Sequence, residues 1–156
     1  MVFTMLWDIY KSWRTNVRSD KALLDAIRLE IGENAFVAQE NVITLNAELE
    51  ALDQGQTVVN PLVPYKIGMW EVLRVSIPSK VVSNVELFSL LRHISYASAH
   101  LNESFRSRQT YKDTYMSPTG DMYAFVRRMK VLNAELRRQV KGLQELLAKA
   151  ATQLGN

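Results

Sequence analysis

The sequence predicts an all-α protein, an elongated antiparallel bundle of long, coiled-coil-like helices. Three observations carry that expectation. The first is a seam near the C-terminus. Met122, Phe125, Met129, Leu132, Leu136, Gln139, Leu143, Leu146, Ala150 and Gln153 follow one another at steps of three and four. That is the a/d spacing of a heptad repeat, and Val126, Val140, Leu147 and Leu154 widen it at the adjoining position. The second is a pair of earlier stretches, 21–52 and 79–108, whose apolar residues recur with the same helical period. The third is the scarcity of strand-like alternation. Thr57-Val58-Val59 is the best candidate and is too short to build a sheet.

A chain of 156 residues reads as one domain. At this size folding hides roughly 70% of the surface of the unfolded chain, so neither a metal nor a disulfide is needed for a core. There are no cysteines, which removes disulfides, thiolate metal sites and cysteine nucleophiles together. With 47% hydrophobic and 22% charged residues, the composition is that of a folded globular protein and not of a disordered one.

In chain order, residues 2–18 place Val2, Phe3, Leu6, Ile9, Tyr10, Trp13 and Val17 at helical spacing, with Lys11, Arg14 and Arg18 off that stripe. This reads as a short, separate amphipathic helix that packs on the bundle. Its aromatic and cationic content also suits a membrane interface, where Phe3, Leu6, Trp7 and Trp13 would make contact. Asp20 is placed to cap a second helix, Lys21 to Leu52. Its inner face runs through Leu24, Ile27, Ile31, Asn34, Ala35, Ala38, Asn41, Val42, Leu45, Leu49 and Leu52, while Asp25, Glu30, Glu33, Glu40, Glu48 and Glu50 lie largely away from it. Asn34 and Asn41 are seven apart, either as polar layers fixing register with a neighbour or as a solvent-facing edge.

The helix is expected to stop at Asp53-Gln54-Gly55-Gln56, and Pro61 and Pro64 mark an extended connection beyond it. A short helix is predicted over 65–75 with Trp70 on its buried side. A third long helix is predicted from Ser79, opened by Pro78, to about Arg108. Residues 109–120 read as a polar, tyrosine-bearing loop. The last helix then spans 118–154, with Ser117 as cap, Pro118 in its first turn and Gly155 as its stop.

The run Leu29-Glu30-Ile31-Gly32-Glu33-Asn34, the proline-containing connection, Trp70, Ile94-Ser95-Tyr96 and Leu101-Asn102 form a loose pattern. It resembles uncharacterised helical proteins of bacteria and archaea, several of which carry a membrane helix near the N-terminus. The resemblance covers about residues 20–108. It implies no activity, and its one implication is a membrane near the N-terminal segment.

No catalytic or metal-binding constellation stands out. His93 and His100 are seven apart, about 10 Å along a helix, too far for a shared metal. Leu90 and Ala97 stand where a bundle di-iron site needs glutamates. Ser95, Ser98, Ser104 and Ser107 read as polar-face residues, none of them in a glycine-flanked elbow. The six glycines are scattered and form no phosphate loop. Neither a metal nor an organic cofactor is expected.

The net charge is +3, but it is unevenly placed. Residues 21–60 carry two basic and seven acidic side chains, and residues 101–156 carry ten basic and five acidic. Opposite charge on two long helices reads as helices that face each other. The stripe Arg127, Arg128, Lys130, Arg137, Arg138 and Lys141 is then a solvated flank that pairs with Glu40, Glu48 and Glu50.

These features point to a non-catalytic protein-interaction or assembly module, self-associating as a homodimer through its last helix with Leu136, Leu143 and Leu147 as anchors. The competing arrangement lays the acidic stretch 21–52 antiparallel along the seam and covers it. Two alternatives belong to other classes: a membrane-peripheral protein held by residues 2–18, and a nucleic-acid binder using the Arg127–Lys141 stripe. No apolar run reaches the roughly 20 residues that span a bilayer, and the start lacks the features of a secretory signal. The expected setting is cytoplasmic, at the inner face of a membrane if residues 2–18 lie on one.

Overall fold

The computed structural model describes residues 2–115 and 121–155, with side chains from Arg18 onward except Val72. Its helices are α1 (Val2–Asp53), α2 (Gly68–Val75), α3 (Ser79–Val82), α4 (Val85–Tyr115) and α5 (Met122–Gly155). No strand occurs among the described residues. The three long helices form the bundle. At one end of it Arg28 Nη2 donates to the Leu154 carbonyl at 2.6 Å, and at the other Lys130 meets Asp53 at 2.8 Å. α5 is therefore antiparallel to α1. It is antiparallel to α4 as well, since Lys149 meets Glu86 at 3.2 Å while Asn133 receives Arg108 at 2.8 Å. α1 and α4 thus run the same way, and residues 54–84 must carry the chain back along the bundle between them.

Five element boundaries differ from the sequence reading, each for a local reason. The short helix predicted over 65–75 begins only at Gly68, because Tyr65 and Lys66 are held extended by the Asn102 and Asn34 amides. Residues 2–18 are not a separate helix, because α1 is continuous across 18–21, where no glycine or proline interrupts it. Asp20 does not cap that helix. Its carboxylate accepts the Ser79 backbone N–H at 3.1 Å and the Ser79 hydroxyl, pinning the start of α3 to α1. The predicted helix 79–108 is broken at Ser83–Asn84, where Asn84 Oδ1 accepts the Leu87 N–H at 2.9 Å and starts α4 afresh as an N-cap. α4 then runs through the predicted loop to Tyr115, because Tyr111 has a buried ring to stack on: Phe125 lies 5.9 Å away at an interplanar angle of 5°. Finally, Asp121 caps α5, accepting the N–H groups of Tyr123 and Ala124 at 3.0 and 3.1 Å. Ser117 and Pro118 lie outside the described residues.

The stop of α1 lies where the sequence places it. Gly55 has φ 75°, the left-handed conformation that ends a helix without a Cβ penalty. Gly55 N–H donates to Leu52 O at 3.2 Å and Gln56 N–H to Ala51 O at 2.9 Å, the paired bonds of a Schellman motif.

The core lies between α1, α4 and α5. α5 buries Phe125, Met129, Asn133, Leu136, Val140, Leu143, Leu147, Ala150 and Leu154. That line is rotated from the predicted seam: Val140, Leu147 and Leu154, read as its margin, are at its centre, while Leu132, Gln139, Leu146 and Gln153 are half-buried. The rotation follows from α5 packing into the angle between two helices, which buries a broad face and not the narrow a/d seam of a two-stranded coil. Each such leucine contributes roughly 1.5–3 kcal/mol by leaving water. α1 fills the angle from its side with Ile27, Ile31, Ala38, Leu45 and Leu52.

Candidate interaction surface

The return segment between α1 and α4 is extended, and it carries backbone groups that a helical neighbour cannot satisfy with its own backbone. Three asparagines take that role. Asn34 accepts the Lys66 N–H at 2.8 Å and donates to the Lys66 carbonyl at 2.9 Å. Asn41 holds Val63 in the same two-point way, both bonds at 2.8 Å. From α4, Asn102 holds Tyr65 at 2.7 and 2.8 Å. Each side-chain amide thus stands in for the edge of a β-strand. One step further along, Glu48 accepts the Asn60 N–H; one step back, Glu30 accepts the Met69 N–H at 2.7 Å.

The spacing explains the pattern. Asn34, Asn41 and Glu48 are seven apart on α1, and the residues they hold (66, 63 and 60) are three apart on the extended segment. Seven helical residues rise about 10.5 Å and three extended ones about 10 Å, so the two rows stay in register over two repeats. Asn34 and Asn41 are therefore neither coil layers nor a wet edge. They are buried clasps for the chain's own return segment.

Glu48 also corrects the expected charge pairing. It lies at 1% exposure, not on the outer face of α1, and it bonds Arg108 of α4, itself 2% exposed. Asn133 of α5 completes the node by donating to Glu48 at 2.8 Å and accepting from Arg108 Nε at 2.8 Å. Arg108 Nη1 reaches the Asn60 carbonyl at 3.0 Å, so one buried ion pair joins all three long helices and the return segment. The basic stripe of α5 spends its charge elsewhere. Lys130 meets Asp53, Arg137 donates to Asn46 at 3.2 Å, and Arg138 pairs with Glu135 on its own helix at 2.6 Å. That last bond holds the exposed Glu135 carboxyl below its usual range.

The candidate chemistry can be placed directly. His93 and His100 are exposed on α4, and among the described residues no group of three or more metal-ligating side chains is close enough to hold an ion. Ser95 and Ser98 are buried and not on a polar face, and their hydroxyls have no hydrogen-bond partner among the described residues. Tyr65 is buried against Phe105, ring centroids 5.9 Å apart. Burial pushes its pKa up to about 12; the Asn41 amide pulls slightly the other way without bonding the hydroxyl. A groove of about 410 Å³ opens between α4 and α5 beside His100, Ser104, Tyr111 and Arg128. The acids on its rim are engaged, Glu103 by Arg106 and Glu135 by Arg138.

The leucines expected to anchor a second copy are internal: Leu136, Leu143 and Leu147 are 5%, 1% and 0% exposed. α1 lies along the seam and covers it, so these side chains offer no surface to a partner. Phe3, Leu6, Trp7 and Trp13 lie on the helical backbone of α1 but outside the residues whose side chains are described. No helix among the described residues is long and apolar enough to cross a membrane.

Apolar side chains are exposed at several places, Val75, Val85 and Tyr123 among them, but a regular row of them lies on the back of α1. Leu29, Phe36 and Ile43 are 64%, 65% and 54% exposed, and they are seven apart, hence in one row. Ala22, seven before Leu29, continues the row, Ala47 is exposed beside it, and the space around Gly32 is open. The row is offset from the Asn34–Asn41–Glu48 row by five residues, about 140° around the helix. Asp25, Glu33, Glu40 and Glu50 border it. Seeking one apolar face per helix passes over this row; the same count by sevens from Leu29 finds it. Compared with known proteins, the chain matches no family model, no curated protein and no solved structure.

Proposed function

We propose that this protein is a non-catalytic interaction or assembly module that works through the outward face of α1. The observation that carries the reading is the row Leu29, Phe36 and Ile43: three large apolar side chains, each more than half exposed, at coiled-coil spacing on a rigid helix. Single exposed apolar residues are ordinary, but a row along three successive heptads is a surface that gains from being covered. The rest of the fold packs behind α1, with α5 on one flank and the clasped return segment on the other. The acidic border supplies a polar rim, as protein interfaces have.

The test is the triple variant Leu29→Gln/Phe36→Gln/Ile43→Gln. It is expected to fold with unchanged thermal stability and to lose the associations of the wild-type protein, read by light scattering and by capture from the native host. Retention of every wild-type association by a folded variant would overturn the reading. So would a fall in melting temperature of ten degrees or more, which would mean that the row is internal.

A further inference from the structure

We infer that the partner on this face is a second copy of the chain, bound through α1 as an isologous antiparallel pair with Phe36 on the two-fold axis; this rests on the reading of α1 as the working face. The row is symmetric about Phe36: Leu29 lies seven residues before it and Ile43 seven after. A dyad at Phe36 therefore sets Phe36 against Phe36, and Leu29 of one protomer against Ile43 of the other. A row with its apolar residues at unequal distances from the centre would lose this match.

The charges beside the row match in the same register. Lys21 precedes Arg28 by seven residues and Glu50 follows Asn46 by four, and Arg28 and Asn46 both touch α5. Lys21 and Glu50 thus share the flank of the row that leans toward α5. A two-fold axis brings like flanks together, so Lys21 of each protomer faces Glu50 of the other. Both are exposed, and neither makes an ion pair among the described residues. On the opposite flank Glu33 holds Lys66 at 2.7 Å. The dyad brings Glu40 of the partner beside that pair, where Lys66 lies between two carboxylates and offsets their repulsion. Lys21 to Glu50 is 30 residues of helix, a contact line of about 45 Å, long enough for an interface of ordinary size.

The absence of cysteine makes the register directly measurable, since an introduced thiol is the only one in the chain. Wild-type protein is expected at twice the chain mass by light scattering. Phe36→Cys is expected to oxidise to a disulfide-linked dimer, because residues on a dyad between close-packed helices come within disulfide reach. Leu29→Cys alone is expected to stay uncrosslinked, yet to form a disulfide-linked heterodimer when mixed with Ile43→Cys. A monomeric wild type at high micromolar concentration overturns the dimer. Self-crosslinking of Leu29→Cys and Ile43→Cys separately overturns the antiparallel register, and masses that climb past the dimer with concentration overturn closed symmetry. None of these three results touches the wider reading of α1 as a working face, which fails if the triple glutamine variant keeps its associations or loses ten degrees or more in melting temperature.

Discussion

Replacing Arg108 with methionine is the perturbation that most severely tests how the bundle is held together. Arg108 donates to Asn133 at 2.8 Å, to the Asn60 carbonyl at 3.0 Å, and to Glu48. Methionine fills much of the same space but supplies none of these donors. Glu48 keeps its bonds from Asn133 and Asn60, yet its charge is left in a site only 1% exposed. Breaking one side of a buried ion pair typically costs about 3–5 kcal/mol, against a total stability of roughly 5–15 kcal/mol for a domain. The expected loss is therefore a large share of the whole. Adding Glu48→Met removes the stranded charge, so the double variant should be no less stable than Arg108→Met alone, which makes the coupling in a double-mutant cycle at least as large as the cost of Glu48→Met by itself. Urea denaturation followed by circular dichroism measures all four proteins, with the slope checked for constancy. A loss below about 1 kcal/mol for Arg108→Met would place the pair in water, where ion pairs are worth that little. Strict additivity in the double variant would refute the reasoning as well.

Three further outcomes follow from the local geometry. Asn41→Leu fills a similar volume but strands the Val63 N–H and carbonyl; a loss of about 2–4 kcal/mol by denaturant titration is expected, while a neutral result would mean that water replaces the clasp. Gly55→Ala forces a Cβ into the left-handed conformation and should cost about 1–2 kcal/mol; no change in melting temperature would mean that α1 ends differently. Glu30 is half-buried, and that burial raises its carboxyl pKa above 4.5 despite the Met69 N–H and Lys66. The folded form therefore holds its proton more tightly than the unfolded one. Wild-type stability relative to Glu30→Gln should rise as pH falls from neutrality through the raised value toward 4.5, and a relative fall over that window would reverse the assignment.

The helical class and the presence of the long helices were legible in the sequence because periodicity is set by burial, and α1, α4 and α5 each bury one broad face. The stop of α1 was legible for a different reason: Gly55 is a local signal that needs no tertiary context. What escaped was everything decided by a neighbour. Asp20 looks like a helix start until Ser79 is there to take its carboxylate. Tyr111 looks like a loop residue until Phe125 gives its ring a partner. Asn34, Asn41 and Glu48 show their heptad spacing in the sequence, but an extended segment rising at a different rate per residue is what gives that spacing a meaning. Several residues of the loose pattern quoted from the sequence fix the return segment in place. Glu30 and Asn34 hold it from α1, Asn102 holds it from α4, and its own Trp70 packs between Phe88 and Tyr96. The expected interface fell on α5 because the strongest apolar seam in a sequence looks like a surface in want of a partner, when its strength is what makes it the core.

One measurement sets the two faces against each other: size exclusion with light scattering on Phe36→Lys and Leu143→Lys, each checked for helicity. A lysine at Phe36 enters water beside the acidic border of α1, whereas a lysine at Leu143 is forced into a site 1% exposed. Phe36→Lys is predicted to be fully helical and monomeric, and Leu143→Lys to be unfolded or aggregated. A folded, monomeric Leu143→Lys together with a Phe36→Lys that still elutes at the wild-type mass would contradict the account and return the interface to α5.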